Sequence, residues 1–134
     1  MIITEKRGDI FTTTDKHIIF ALNTEGYNDA GFAGQVAERG FSEIVNTGGN
    51  RLGDVMEKTI GGITYHGIVC HSLKKGGWQN APHIIRESLD NMKFQDDASA
   101  VLIGSGFIGA IQGAPVKQIY EAFKQSNKNI TIWF

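Results

Sequence analysis

Apolar positions along the chain follow two rhythms. The runs His17-Ile18-Ile19-Phe20-Ala21-Leu22, which stops at Asn23, and Ala100-Val101-Leu102-Ile103 are unbroken, as in strands covered on both faces. Shorter strand-like runs open and close the chain, at Met1 to Glu5 and at Ile130 to Phe134. Between them, Asp54–Thr59 and Ile63–His71 flank Gly61-Gly62, the signature of a β-hairpin. Helical spacing recurs three times. It links Phe32, Val36 and Ala37 after Asp29, then Ile84, Ile85, Leu89 and Met92 after Pro82, whose fixed φ suits a first helical turn. The third set, Val116, Ile119, Tyr120 and Phe123, ends before Asn127. Strands and helices alternate except at the hairpin. This predicts an α/β chain, a three-layer α/β/α arrangement around a central mixed sheet of about six strands. No repeat or linker interrupts it, and residues 1–134 read as one domain.

Composition narrows the partners. With 41% apolar and 20% charged residues the chain can build a core, so disorder is not expected. A net charge of −1, with Lys and Arg dispersed, gives no nucleic-acid footprint. A small anion can still be held by backbone amides. Cys70 is the lone cysteine and lies in an apolar run, where it reads as inert core; one Cys and four scattered His build no metal cluster. No cofactor is expected. The first residues lack an apolar signal region and no run reaches membrane-spanning length, which predicts an intracellular, cytoplasmic protein with no membrane partner. Nothing in the chain demands more than a monomer.

The 17 glycines are the excess to explain. After the strand ending at Ile103, the loop Gly104-Ser105-Gly106-Phe107-Ile108-Gly109 suits close approach of backbone N–H groups to a phosphate, or a tight strand-to-helix turn with no ligand. Its glycines also satisfy the dinucleotide fingerprint G-x-G-x-x-G. A Rossmann-type module is disfavoured, because only 25 residues follow Gly109 and the last run has no acidic tip. A second loop-to-helix segment, Asp29-Ala30-Gly31-Phe32-Ala33, follows the other buried strand, so two such segments can face one pyrophosphate. Asp29 reads as helix cap or ligand contact, and Asn23 as a hydroxyl contact or an Asx-type turn. Histidine as a residue type titrates near neutrality, so His71 is a candidate base, or simply an exposed or hydrogen-bonded strand end. Lys74 and Lys75 read as a solvated pair or as ligand contacts, and Trp78 as a lid or a surface anchor.

In this order the motifs resemble the macrodomain family of ADP-ribose-binding modules, nearly end to end. Gly8-Asp9-Ile10-Phe11 looks like the family's start, which implies that Asp9 and Ile10 lie at the adenine, with Asp9 accepting from its amino group. Ala30-Gly31-Phe32-Ala33 and Ile103-Gly104-Ser105-Gly106-Phe107 are similar to its two phosphate segments. The resemblance implies that Trp133, with Phe134 second, lies against adenine, and that Asn23, Asp29 and the loop from His71 to Trp78 face the distal ribose. Compact length is most like the branch with the small glutamyl-ADP-ribose glycohydrolases and the ADP-ribose-1''-phosphate phosphatases. Lys74 matches the glycohydrolase lysine, Lys75 being an arguable alternative, but Ile108 stands where those enzymes carry an aspartate. The expected function is binding of ADP-ribose or an ADP-ribosylated protein. The alternative is hydrolysis of ADP-ribose-1''-phosphate or an ADP-ribosyl linkage, with Lys74, His71 and Asp29 as catalytic residues.

Overall fold

The computed structural model describes residues 2–25, 31–41, 51–72, 78–101 and 116–133. The continuous apolar runs become the centre of a sheet. Strand β2 (His17–Asn23) is buried from its second residue onward and pairs in parallel with β4 (Ile63–His71) and with β5 (Ala98–Val101). The glycine pair makes the predicted hairpin: Gly61 and Gly62 take φ of +59° and +83°, and β3 (Val55–Ile60) returns antiparallel to β4. On the other side β5 pairs with β6 (Ile130–Trp133), which pairs with β1 (Ile3–Lys6), both in parallel. The sheet is therefore mixed, in the order β1-β6-β5-β2-β4-β3.

Alternation along β2 separates the two faces. Phe20 meets Phe32 of helix α1 (Gly31–Val36) and Phe41 of the turn Ala37–Phe41 at ring distances of 6.1 and 5.2 Å. On the opposite face, helix α2 (Ala81–Asn91) sends Ile85 and Leu89 into the core and packs beside α3 (Val116–Gln125). The result is the expected α/β/α layering. On the α1 face, Gly67 lies under Leu22 so closely that a Cβ would sit 2.5 Å from Leu22 Cδ1.

Strand β2 ends at Asn23, where the apolar run stops. Strand β5 differs from the pattern-based expectation: it begins at Ala98, two residues before the apolar run, because β2 pairs with the small residues Ala98 and Ser99. Met92 caps α2 instead of lying within it.

Candidate functional site

The topology singles out one place at which open sheets of this kind form a ligand crevice. Beside β5, β2 leads toward β4 and β3, whereas β5 leads toward β6, so connections leave in opposite directions at the carboxyl ends of adjacent parallel strands. A register irregularity after Leu22 sets Asn23 opposite His71, and Thr24 N–H donates to the His71 carbonyl at 3.0 Å. The Ser72 hydroxyl donates to the Glu25 carboxylate at 2.6 Å. His71 is 6% exposed, and Trp78 stacks on its ring at 3.8 Å and 11°. Burial pushes its pKa down to about 4, opposed by the Glu25 carboxylate. The imidazole is therefore neutral at pH 7. Cys70 Sγ lies 3.7 Å from His71 Nδ1, and burial pushes that thiol up to about 12. It remains protonated and can donate to the neutral ring.

At the other side of the crevice, β1 ends beside Trp133 of β6 and the chain turns through Gly8. The Asp9 carboxylate accepts from Phe11 N–H at 2.9 Å and caps the helical turn Ile10–Thr12. Gly8 lies against the Trp133 ring, at 3.4 Å for a Cβ built on it. Trp133 is 3% exposed, and its indole N–H donates to Ser99 Oγ at 3.1 Å. Ser99 donates in turn to Asp15 at 2.7 Å and bonds Thr13 at 2.9 Å. This network fixes the indole plane next to the Asp9 turn. Phe11 stacks on Phe32 at 5.5 Å, and the Arg39 guanidinium lies 3.6 Å from the Phe11 ring centre, tying that turn to α1.

Of the residues singled out by sequence, the structure brings Asp9, Ile10 and Trp133 together at one side, and Asn23, His71 and Trp78 at the other. The side chains of Ile10 and Phe32 are buried in the core. Gly31 and Ala33 occupy the first turn of α1. Asp29, Ala30, Lys74, Lys75, Gly104, Ser105, Gly106, Phe107, Ile108, Gly109 and Phe134 lie outside the described residues. Sequence reading missed Glu25, Ser72, Phe11 and Arg39. Glu25 carries the one usable signal, an acid two residues beyond a buried strand. The Glu25–Ser72 pairing spans 47 positions and follows only from the β2–β4 register.

The crevice thus presents the Asp9 carboxylate at one end and Glu25 with a neutral imidazole at the other. Such groups accept from an amino group and from hydroxyls. Among the described residues no cluster of three His, Cys, Asp or Glu is placed to hold a metal ion, and no helix is long and apolar enough to cross a membrane.

No family model matches the chain, and no curated protein sequence matches it. Solved structures do. The chain is similar to the macrodomain of Mycobacterium tuberculosis DarG, at 14% identity and a TM-score of 0.69, over 98% of this chain and 97% of that one. It is similar to the macrodomain of Thermus aquaticus DarG, at 13% identity and a TM-score of 0.65, over 99% and 98%. It is also similar to a Trypanosoma brucei macrodomain solved in complex with ADP-ribose, at 12% identity and a TM-score of 0.59, over 98% of this chain and 63% of that one.

Proposed function

We propose, starting from the macrodomain fold that this chain has, that it binds ADP-ribose in the crevice at the carboxyl ends of β2, β4, β5 and β6. The observation that carries the reading is that the turn holding Asp9 lies against Trp133 through Gly8 at one side of the switch point, whose other side holds Asn23 and His71. Asp9 accepts from the adenine amino group beside the fixed Trp133 indole. Backbone amides of residues 30–33 and 104–109 take the pyrophosphate, as N–H groups at a helix start and a glycine loop do. Asn23, Asp29, Glu25 and His71 meet the distal ribose hydroxyls, with Lys74 on the adjoining loop. Calorimetric titration tests this. ADP-ribose binds wild type, and Asp9→Ala weakens it roughly ten- to a hundredfold, the worth of one hydrogen bond to a charged acceptor. Absence of saturable binding, or an Asp9→Ala affinity equal to wild type, overturns the reading.

Glu25 beside His71 favours a second reading, hydrolysis of an ADP-ribosyl linkage or of ADP-ribose-1''-phosphate. A neutral His71 with a pKa of about 4 is a weak base, so it positions substrate while Glu25 moves the proton. Release of ADP-ribose or phosphate that Glu25→Gln abolishes supports this reading, and release unchanged in Glu25→Gln removes Glu25 from it.

A further inference from the structure

On the α2 face of the sheet, a cavity of about 700 Å³ opens between α2 and the paired strands β3 and β4, running from His17 at the start of β2 to Gly53, whose N–H donates to the Val69 carbonyl near the end of β4. Its size matches small-molecule pockets, which run roughly 300–1,000 Å³. Its floor is a directed hydrogen-bond chain. The Glu57 carboxylate accepts from His66 Nδ1–H, which leaves His66 Nε2 as the acceptor for His17 Nδ1–H at 2.8 Å. His17 Nε2 faces the Asp96 carboxylate at 3.6 Å, and Phe94 stacks on His17 at 3.8 Å. Val55, Ile84 and Met92 add apolar wall.

The carboxylates of Glu57, Glu87 and Asp96 around this space outnumber its ammonium groups, Lys93 and the buried Lys128, which donates to the Met92 carbonyl at 2.8 Å and lies 5.2 Å from the Phe94 ring centre. Glu57 and Glu87 line it with exposed carboxylates, whereas Lys93 is the lining ammonium among the described residues. His83 approaches one Glu87 oxygen at 3.1 Å from the solvent side. Burial holds the His66 pKa below its ordinary value against the pull of Glu57, with His17 and Lys128 adding to the lowering. The neutral ring therefore leaves the Glu57 charge uncancelled at pH 7. The last turn of α2, at Ser88 and Asn91, borders the cavity; it carries no basic residue of its own, while the Lys128 ammonium takes the carbonyl of the C-cap Met92 at 2.8 Å. A helix carboxyl end favours a cation. An anion such as a nucleotide phosphate would meet two carboxylates and that same helix end.

We propose that this cavity is a second ligand site, which takes a small organic cation: an ammonium or amidinium group on an aromatic or alkyl body. The cationic group pairs with Glu57 and Glu87, and the body packs on Phe94, Met92, Ile84 and Val55. The site shares no lining residue with the ADP-ribose crevice and stands without it.

Amide NMR titration of the whole chain tests the proposal, with benzamidinium and phenethylammonium as probes and benzoate as the anionic isostere. Either cation gives saturable shifts confined to residues 52–57 and 84–94, and benzoate gives none. Glu87→Gln, which alters only an exposed side chain, weakens binding roughly two- to fivefold. Phe94→Leu weakens it further through the lost ring contact. Saturating ADP-ribose leaves these shifts in place. The proposal is overturned if neither cation saturates, if benzoate binds as well, or if Glu87→Gln and Phe94→Leu both bind like wild type.

Discussion

Acid should destabilise this protein through His71 by an amount that the structure defines. The ring is covered by Trp78 and the strand ends, and its folded pKa is about 4 against 6.5 for a free imidazole. The unfolded chain therefore binds the proton more tightly. Stability is complete above the unfolded pKa, falls as pH drops through 6.5, and levels off below the folded value. The full shift corresponds to roughly 3 kcal/mol, and between pH 7.5 and pH 5.0 the linkage integral gives roughly 2 kcal/mol. Urea unfolding at both pH values, for wild type and for His71→Gln, isolates this contribution. His66 is also held below its ordinary pKa by burial, but it acts equally in both proteins and cancels. With a urea slope on the order of 2 kcal/mol/M, the wild-type midpoint falls roughly 1 M further on acidification than the variant midpoint. Equal acid sensitivity in the two proteins refutes the reasoning, because His71 would then titrate alike folded and unfolded. His71→Phe, which keeps an aromatic face for Trp78, should behave as His71→Gln does.

Two further substitutions probe the frame around the crevice. Gly67→Ala drives a methyl into Leu22 and Phe20 and costs roughly 1–3 kcal/mol in urea unfolding; no loss would mean that Leu22 has room to turn aside. Ser99→Ala removes the acceptor of the buried Trp133 indole N–H and the donor to Asp15, again roughly 1–3 kcal/mol, part of which Trp133→Phe in the same chain restores. A double variant that is the plain sum of the two single ones would show that the indole and Ser99 act independently.

Much of the architecture was legible in the chain. His17 to Leu22 read as a buried strand because its unbroken apolar run has no helical gap, and Gly61-Gly62 marked the hairpin because only such residues take two successive positive φ values easily. Pro82 announced α2. The start of β5 was not legible, since Ala98 and Ser99 are small and carry no strand signature; their place is set by pairing with His17 and Ile18. The same limit applies to the site. Locally, Gly8-Asp9-Ile10 reads as a turn, which Asp9 caps; Asp9 stands out as a site residue only through the resemblance of Gly8-Asp9-Ile10-Phe11 to the macrodomain start. The Ser99 network, the Glu25–Ser72 pair and the His66–His17 bond join residues 34 to 86 positions apart, and each depends on strand register that no local pattern encodes; only Glu57 opposite His66 follows from the Gly61-Gly62 hairpin.

The central claim is that ADP-ribose occupies the crevice at the strand ends. Amide NMR titration with ADP-ribose tests it most directly. The account predicts saturable shifts at Asp9 to Phe11, Asn23 to Glu25, His71, Ser72 and the Trp133 indole, with residues 84–94 unmoved. Saturable shifts centred on Phe94 and His66, or none at all, would contradict it.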